Sequence, residues 1–235
     1  QRVSSFNENE TGAALRMGYE LTQSLRHNVA YELNHREITR VRSGASRVIN
    51  QQKGSTVSST ISNAFFYDQL NNRFNPTEGY FGRYKLDITG LGGSVKHIRN
   101  TVEAGHFTPI YSHDWVIGIS GEAGQVFGIG EDVRLVDRYY LGGQDLRGFE
   151  TGGVGPRDKG TDDALGGNVL ARGTVELRFP LGLPPEYGFS GRAFSDVGVL
   201  TEVEESGADI IDTGTVRMGV GMGVAWNSIL GPVRL

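Results

Sequence analysis

The chain has 235 residues, a net charge of −4 at pH 7, no cysteine, and 35 glycines in a composition that is only 37% hydrophobic. The mildly acidic balance provides no electrostatic basis for binding nucleic acid, and the lack of cysteine excludes disulfides and thiolate metal sites. No run of about 18 apolar residues occurs, which excludes a helical membrane protein, and the continuous apolar runs typical of buried parallel strands in α/β enzymes are missing as well.

Alternation of apolar and polar residues recurs along the chain and predicts β-strands. In FGRYKLDITG, for example, Tyr84, Leu86 and Ile88 fall on one face, and the charged residues between them fall on the other. The final residues, GPVRL, read as the start of a tenth strand. The nine full segments are 12–21, 25–33, 55–67, 81–90, 99–107, 114–127, 168–180, 187–199 and 215–226.

Two features favour a membrane barrel over a soluble β-sandwich, whose strands also alternate. The segments are about ten residues long, which is the length needed to cross a bilayer at a tilt. Their polar face also carries full charges in mid-strand, which a wet barrel lumen accommodates and a sandwich core does not. The sandwich stays open as the alternative fold. The mid-strand charges are Arg16, Glu20, Arg83, Lys85, Asp87, Glu176, Arg178, Arg192 and Arg217.

The connecting segments also fit a barrel. Mostly short turns at one end and longer loops at the other are typical of outer-membrane barrels. If successive strands alternate in direction, one end carries the links 22–24, 68–80, 108–113, 180–186 and 227–231, and the other carries 34–54, 91–98, 128–167 and 200–213.

The glycine-rich stretch YYLGGQDLRGFETGGVGP, residues 139–156, has the composition of a functional loop. A phosphate-binding loop would need its lysine or a G-x-G-x-x-G pattern ahead of a helix, and neither pattern is present. A flexible surface loop with a solvated Arg147 is the simpler alternative. Against that alternative stand the separation of about 40 residues between the flanking strands and the apolar content of RLVDRYYLGG.

A third interpretation rests on resemblance. GGQDLRGF is similar to the loop signature of the BamA family of outer-membrane assembly factors, in which a G-G-x-x-x-V-R-G-[FY] loop folds back into the barrel lumen. Leu146 stands where valine is usual in that family. The match covers essentially the whole chain. Five further stretches resemble the family in the same order: YDQLNNRFNPTEGYFGRYKLDI, DDALGGN, VELRFPL, FSDVG and GMGVAWNSILGPVRL.

The resemblance implies an all-β fold, a transmembrane antiparallel β-barrel of about sixteen strands with the long loop folded inward. Residues 1–235 would form the C-terminal part of this barrel, with about nine to ten of its strands. Family members carry soluble POTRA domains before the barrel. We expect those domains, the first strands and the end of the last strand to be absent from this chain.

The resemblance also implies a site. In the family the loop arginine pairs with acidic residues on two following strands, and the matching positions here are Glu176 in VELRF and Asp196 in FSDVG. The alternation independently assigns both carboxylates to the polar face. Because a lone buried charge is costly, we expect Arg147 to contact Glu176 and Asp196 in the lumen. The alternative is that Glu176 pairs with Arg178 or Arg192.

The rest of the loop motif supports this geometry. Gly142, Gly143 and Gly148 would let the backbone turn tightly and approach the wall. Phe149 would pack against lumen residues.

By resemblance, the function is assembly and insertion of β-barrel proteins in the bacterial outer membrane, with no enzymatic reaction, cofactor or metal. The implied partners are unfolded barrel proteins, accessory assembly lipoproteins, outer-membrane lipids and lipopolysaccharide. TamA-like assembly factors and two-partner secretion transporters share the arginine loop and are the nearest alternatives, although WNSILGP favours BamA. A passive porin is the alternative from a different class.

Overall fold

A computed structural model describes residues 7–184, 187–204, 207, 209–228 and 231–234, with the backbone alone at 227, 228 and 231–234. These residues form a short helix α1 (Arg47–Gln51), a single 3₁₀ turn (Leu135–Asp137) and twelve strands. The strands are β1 Asn7–Glu20, β2 Leu25–Thr39, β3 Gly54–Asp68, β4 Gly79–Gly93, β5 His97–Pro109, β6 Val116–Gly128, β7 Arg157–Asp158, β8 Val169–Pro180, β9 Phe189–Thr201, β10 Ile210–Ile211, β11 Arg217–Ser228 and β12 Gly231–Arg234.

Ten strands form one antiparallel sheet in the order β1-β2-β3-β4-β5-β6-β8-β9-β11-β12. Each of these strands therefore pairs with the ones before and after it along the chain, as in an up-and-down barrel. The nine predicted strands are confirmed, and β12 is the predicted start of a tenth. A sandwich would divide its strands between two packed sheets, so the sandwich interpretation is wrong.

The register gives the sheet one apolar and one polar face. On β11, Met218, Val220 and Met222 are all strongly exposed on the apolar face, which is the arrangement expected of a lipid-facing surface. Among the described residues, no helix has the length and apolar character needed to cross a bilayer. Stacked aromatic pairs lie on the apolar face near the short connections, as in an interfacial aromatic girdle: Tyr67 with Tyr80, Trp115 with Phe179, and Phe189 with Trp226.

The long loop 129–168 covers the polar face of the sheet. Leu141, Leu146 and Val154 of this loop are buried in one apolar cluster. The same cluster contains Leu170 of β8 and Leu200 of β9, which extend from the wall. This confirms the predicted inward-folded loop, and the apolar contacts explain why a glycine-rich segment is ordered.

At the outer end, three loops pack on one another. The link predicted at 34–54 is shorter than expected, because β2 continues to Thr39, and it contains the unpredicted helix α1. Val48 and Ile49 of α1 pack against Leu135 and Leu165 of the long loop. The two-residue strands β7 and β10 pair with each other and join the long loop to the segment 209–214. Segments this short show no alternation from which to predict them.

Several sequence predictions reach residues outside the described part of the chain. They are the end of the 180–186 link at 185–186, residues 205, 206 and 208 of the loop 200–213, residues 229–230 of WNSILGP, and Leu235.

Candidate functional site

Three glycines shape the arginine-bearing part of the long loop. Gly142, Gly143 and Gly148 have φ angles of 133°, 64° and 94°, a region that other residues rarely adopt. A Cβ atom on Gly142 would lie 2.0 Å from the carbonyl oxygen of Glu150. Glycine therefore lets the two sides of the loop approach, and the Gly143 N–H donates to the carbonyl of Phe149 at 2.8 Å.

Arg147 projects from this segment onto the wall. Its Nε donates to Oδ2 of Asp196 and its Nη2 to Oδ1, both at 2.6 Å. Its backbone N–H donates to the same Oδ2 at 3.1 Å, and Nη1 donates to Oε2 of Glu176 at 3.0 Å. The structure thus brings Arg147, Glu176 and Asp196 together, with the two-bonded fork that suits a guanidinium and a carboxylate.

Strands β8 and β9 add two residues to the cluster that sequence analysis missed, one at a carboxylate and one at the arginine. Thr174 lies opposite Asp196 in the sheet register, and its Oγ1 donates to Oδ1 of Asp196 at 2.9 Å. The centroid of the Phe194 ring lies 3.4 Å from Cζ of Arg147, which is a cation–π contact. The period of two from Glu176 and Asp196 places both residues on the inner face, so the alternation contained the signal.

Glu176 is shared between two arginines. Its Oε1 lies 2.6 Å from Nη2 of Arg192, while its Oε2 accepts from Arg147. The alternative pairing with Arg192 therefore exists alongside the pairing with Arg147. Arg178, the other candidate partner, donates to the turn between β3 and β4.

Burial makes these contacts decisive for the position of the loop. Asp196 is 1% exposed, and the side chain of Arg147 is 29% exposed. Removing one partner of such a buried pair costs about 3–5 kcal/mol, because the other charge is left uncompensated. Hydrogen bonding to Asp196 raises the pKa of Arg147 above its ordinary value, although burial opposes this. Arg147 therefore stays charged at physiological pH.

Apolar contacts flank the arginine on both sides. Leu146 is fully buried, so leucine fits the position that resemblance assigns to valine. Phe149 packs against the same cluster, which includes Leu170 and Leu200 of the wall.

Strand β11 contributes two glycines to the site. A Cβ atom on Gly219 would lie 2.1 Å from the carbonyl oxygen of Arg147. A Cβ atom on Gly221 would lie 2.5 Å from the ring of Phe194, which supports that arginine. At these two positions the glycine row makes room for the loop, a question that the sequence left open.

A second ion-pair chain connects the loop to the wall. Arg172 of β8 contacts Oδ1 of Asp145 at 3.2 Å and Oε2 of Glu122, on β6, at 2.6 Å. Asp145 lies two residues before Arg147, so both contacts fix the same short segment. Beside them the inner face leaves a charged cavity of about 440 Å³. A polar, partly filled interior is typical of outer-membrane barrels.

These features define a class of protein: an outer-membrane β-barrel wall whose inner face holds an arginine-bearing loop on two acidic strands. The chain belongs to the Omp85 superfamily, because the model of the Omp85 superfamily domain matches residues 1–235. It is an integral protein of the bacterial outer membrane.

Two curated relatives show the range of similarity. The outer membrane protein assembly factor BamA of Neorickettsia risticii is 35% identical over 220 residues, which cover 93% of this chain and 30% of the relative. The sorting and assembly machinery component 50 homolog of Mus musculus is 29% identical over 194 residues, covering 81% of this chain and 40% of the relative. The chain thus spans less than half the length of either relative.

The crystal structure of BamA from Haemophilus ducreyi lacking POTRA domains 1-3 has the same fold. It superposes with a TM-score of 0.85 at 21% identity, covering 99% of this chain and 51% of that one. At this identity the likeness concerns the fold.

Proposed function

We propose that the chain is the C-terminal barrel part of a BamA-like factor that folds and inserts β-barrel proteins into the outer membrane. The observation that carries this proposal is the docking of Arg147 on Asp196 and Glu176 inside the sheet. Membership of the Omp85 superfamily and the names of the relatives support it. The proposal assigns mechanical support to the site and no chemical reaction.

The loop can brace the wall from β8 to β11. Arg147 spans β8 and β9, and its backbone packs against Gly219 of β11. An exposed strand edge can accept an added strand through main-chain hydrogen bonds. We infer that the docked loop holds β8 to β11 rigid while a client strand pairs with a strand edge of the barrel.

The partners in this proposal are unfolded barrel proteins, accessory assembly lipoproteins, and outer-membrane lipids with lipopolysaccharide. A client strand would bind by pairing, which requires no particular side chain, so many different clients can be served. In the basic stretch 36–47 at the outer end, Arg36 and Arg47 pair with Asp137 and Asp209, so the exposed Arg40 and Arg42 are the side chains that would meet the anionic groups of lipopolysaccharide; a merely solvated loop is the alternative.

A porin or a secretion transporter is less well supported. In a porin the lumen stays open for solutes, whereas here the loop fills part of the lumen with an apolar cluster. TamA-like factors and two-partner secretion transporters would use the same arginine loop, so the site geometry does not separate them. The 35% identity to a BamA over 93% of the chain favours the BamA-like assignment.

A charge reversal tests the proposal in the full-length parent protein. We expect Arg147→Glu to abolish growth and barrel assembly in cells that depend on the variant, because three carboxylates would then face one another in a buried site. Combining it with Asp196→Arg should restore part of the assembly, since the ion pair is rebuilt with reversed polarity. The measurement is the yield of folded client barrels in the outer membrane.

The matched control is Arg83→Glu. Arg83 also faces the lumen, where it contacts Glu103 at 3.0 Å, but its side chain is 53% exposed. Exposed pairs contribute about 0–1 kcal/mol, so this variant should assemble clients normally. Normal assembly by Arg147→Glu would overturn the proposal.

A further inference from the structure

The long loop has a second charged anchor, far from Arg147 along the sheet. Oδ1 of Asp137, in the 3₁₀ turn, accepts from Nη1 of Arg36 on β2 at 3.0 Å. Nε and Nη2 of Arg36 also lie 2.7 and 3.5 Å from carboxylate oxygens of Glu8 and Glu10 on β1. The side chains of Arg36 and Asp137 are only 18% and 14% exposed, so solvent screens their attraction much less than it screens a surface pair.

Two hydrogen bonds to the link between β2 and β3 hold the 3₁₀ turn beside this anchor. The N–H of Leu135 donates to Oε1 of Gln52 at 2.8 Å, and Nη2 of Arg134 donates to the carbonyl of Gln52 at 2.9 Å. Leu135 is also buried against helix α1. The turn is therefore fixed to β2 and to the link that follows it.

Tyr139 places the next part of the loop on β5. Its hydroxyl donates to the carbonyl of Asn100 at 2.9 Å and lies 2.7 Å from Oγ1 of Thr101. Cζ of Arg99 lies 4.0 Å from the centroid of its ring, which is a cation–π contact. Because Tyr139 is buried, these contacts fix the loop at a third place on the wall.

The polar anchors of the loop follow the order of the strands: Asp137 on β2, Tyr139 on β5, Asp145 on β8, and Arg147 on β8 and β9. Six strand spacings of about 4.8 Å separate β2 from β9, which is about 29 Å along the wall. The segment 137–147 could span about 35 Å if it were fully extended. It is not, because the N–H of Asp145 donates to the carbonyl of Gly142 at 3.3 Å and closes a turn. The segment therefore has little slack between its two ends.

We propose that Arg36 is a positioning residue and that the segment 137–147 is a tie, which holds β2 at a fixed distance from β9 across the lumen. One end of the tie is fixed by Arg36 on Asp137, and the other by Arg147 on its two carboxylates. A tie anchored at both ends resists separation of the two strands. A loop anchored only at Arg147 would leave β2 free to move.

This inference rests on the proposed function only for the purpose of the tie, which would keep the wall at a constant width while a client strand pairs with its edge. The separation of β2 from β9 is a property of the wall itself. It is measured without any client protein.

Spin labels on the two strands measure that separation. The chain contains no cysteine, so nitroxides can be attached at Leu33→Cys on β2 and Val197→Cys on β9 of the full-length protein, with any cysteine outside this chain replaced by serine. Both side chains have the opposite parity to Arg36 and Asp196 in their strands, so the labels lie on the apolar face and leave the lumen undisturbed. Double electron–electron resonance in phospholipid vesicles gives the mean distance and its distribution.

Asp137→Asn keeps the size of the side chain and removes its charge. It should shift the distance between the labels to longer values and broaden the distribution, because the ion pair that holds β2 to the loop is lost. The control is Asp132→Asn, which removes the same charge from an exposed side chain earlier in the loop. This control should leave the distribution of the parent protein unchanged.

Arg147→Gln releases the other end of the tie and should lengthen the distance in the same way. If the segment acts as one tie, combining Arg147→Gln with Asp137→Asn should lengthen it no further than either change does singly. Shifts that add in the double variant would overturn the tie. If Arg147→Gln fails to fold, the comparison of Asp137→Asn with Asp132→Asn decides by itself, and an unchanged distance in Asp137→Asn overturns the tie.

Client insertion is measured separately in the same vesicles. Normal insertion by Arg147→Gln, with the distances shifted as expected, would contradict the proposed function and leave the tie intact. Unshifted distances with impaired insertion would overturn the tie and leave the proposed function standing.

Discussion

At the residue scale, the site depends on its glycines as much as on its charged side chains. The carbonyl of Arg147 lies where a Cβ atom of Gly219 would have to be, and only a hydrogen at that position allows the loop to reach Asp196. The charges hold the loop on the wall, and the glycine determines how closely it approaches.

Gly219→Ala should therefore displace the loop. We expect it to lower the free energy of unfolding by about 1–3 kcal/mol, the usual cost of overpacking, because neither backbone can shift freely. Gly82→Ala is the control, since a Cβ atom there meets nothing within 4 Å. The measurement is urea unfolding of the full-length protein in detergent micelles. Equal stability of the two variants would show that the close approach has no energetic consequence.

At the element scale, the helix α1 connects the outer loops. Ser46 caps it by accepting from the N–H of Ile49 at 3.3 Å, and Ser46 N–H donates to Oδ2 of Asp163 in the long loop at 2.8 Å. Ile49 is buried against the long loop. The segment 40–53 is thus held by apolar packing as well as by its cap.

Ile49→Ala should release this segment, because truncating a buried isoleucine costs about 2–5 kcal/mol. In intact outer-membrane vesicles, we expect trypsin to cleave this variant after Arg47 and Lys53 much faster than it cleaves the parent protein. Gln51→Ala changes an exposed residue of the same helix and should leave both cleavage rates at the parent value. If Ile49→Ala resists trypsin as well as the parent protein does, the packing against the long loop does not hold the helix.

At the scale of the whole molecule, the sheet separates a lipid-facing surface from a charged interior. Val102 lies on the apolar face in the middle of β5 and is half exposed, while Thr108 lies on the same face at the strand end. The cost of placing a charge on this face should depend on its depth in the bilayer.

Val102→Arg is expected to lower the free energy of unfolding from a bilayer by about 2–4 kcal/mol, and Thr108→Arg by only about 0–1 kcal/mol. Both are measured by denaturant unfolding in vesicles, and the comparison within one strand removes differences in strand propensity. Similar values for the two variants would contradict the assignment of this face to the membrane.

The strands, their two faces and the arginine loop can all be predicted from the order of the residues. Alternation with a period of two is a local property, so it appears in the printed order of residues whatever the distant contacts are. The same alternation assigned Glu176 and Asp196 to the polar face, and resemblance connected them with Arg147. The ends of the strands are predicted less accurately than their existence: β2 extends to Thr39, beyond the predicted end of its segment at 33.

Which residues of the inner face contact the loop cannot be predicted in this way, because it depends on how distant segments pack. Phe194 under the guanidinium and Gly219 behind the loop have the right parity, but so does every second residue of each strand. The contact of Arg178 with Asn75 joins residues 103 positions apart and depends on how a turn bends inward across three strands. Such contacts follow from the curvature of the wall and the path of the loops, which no local pattern in the chain records.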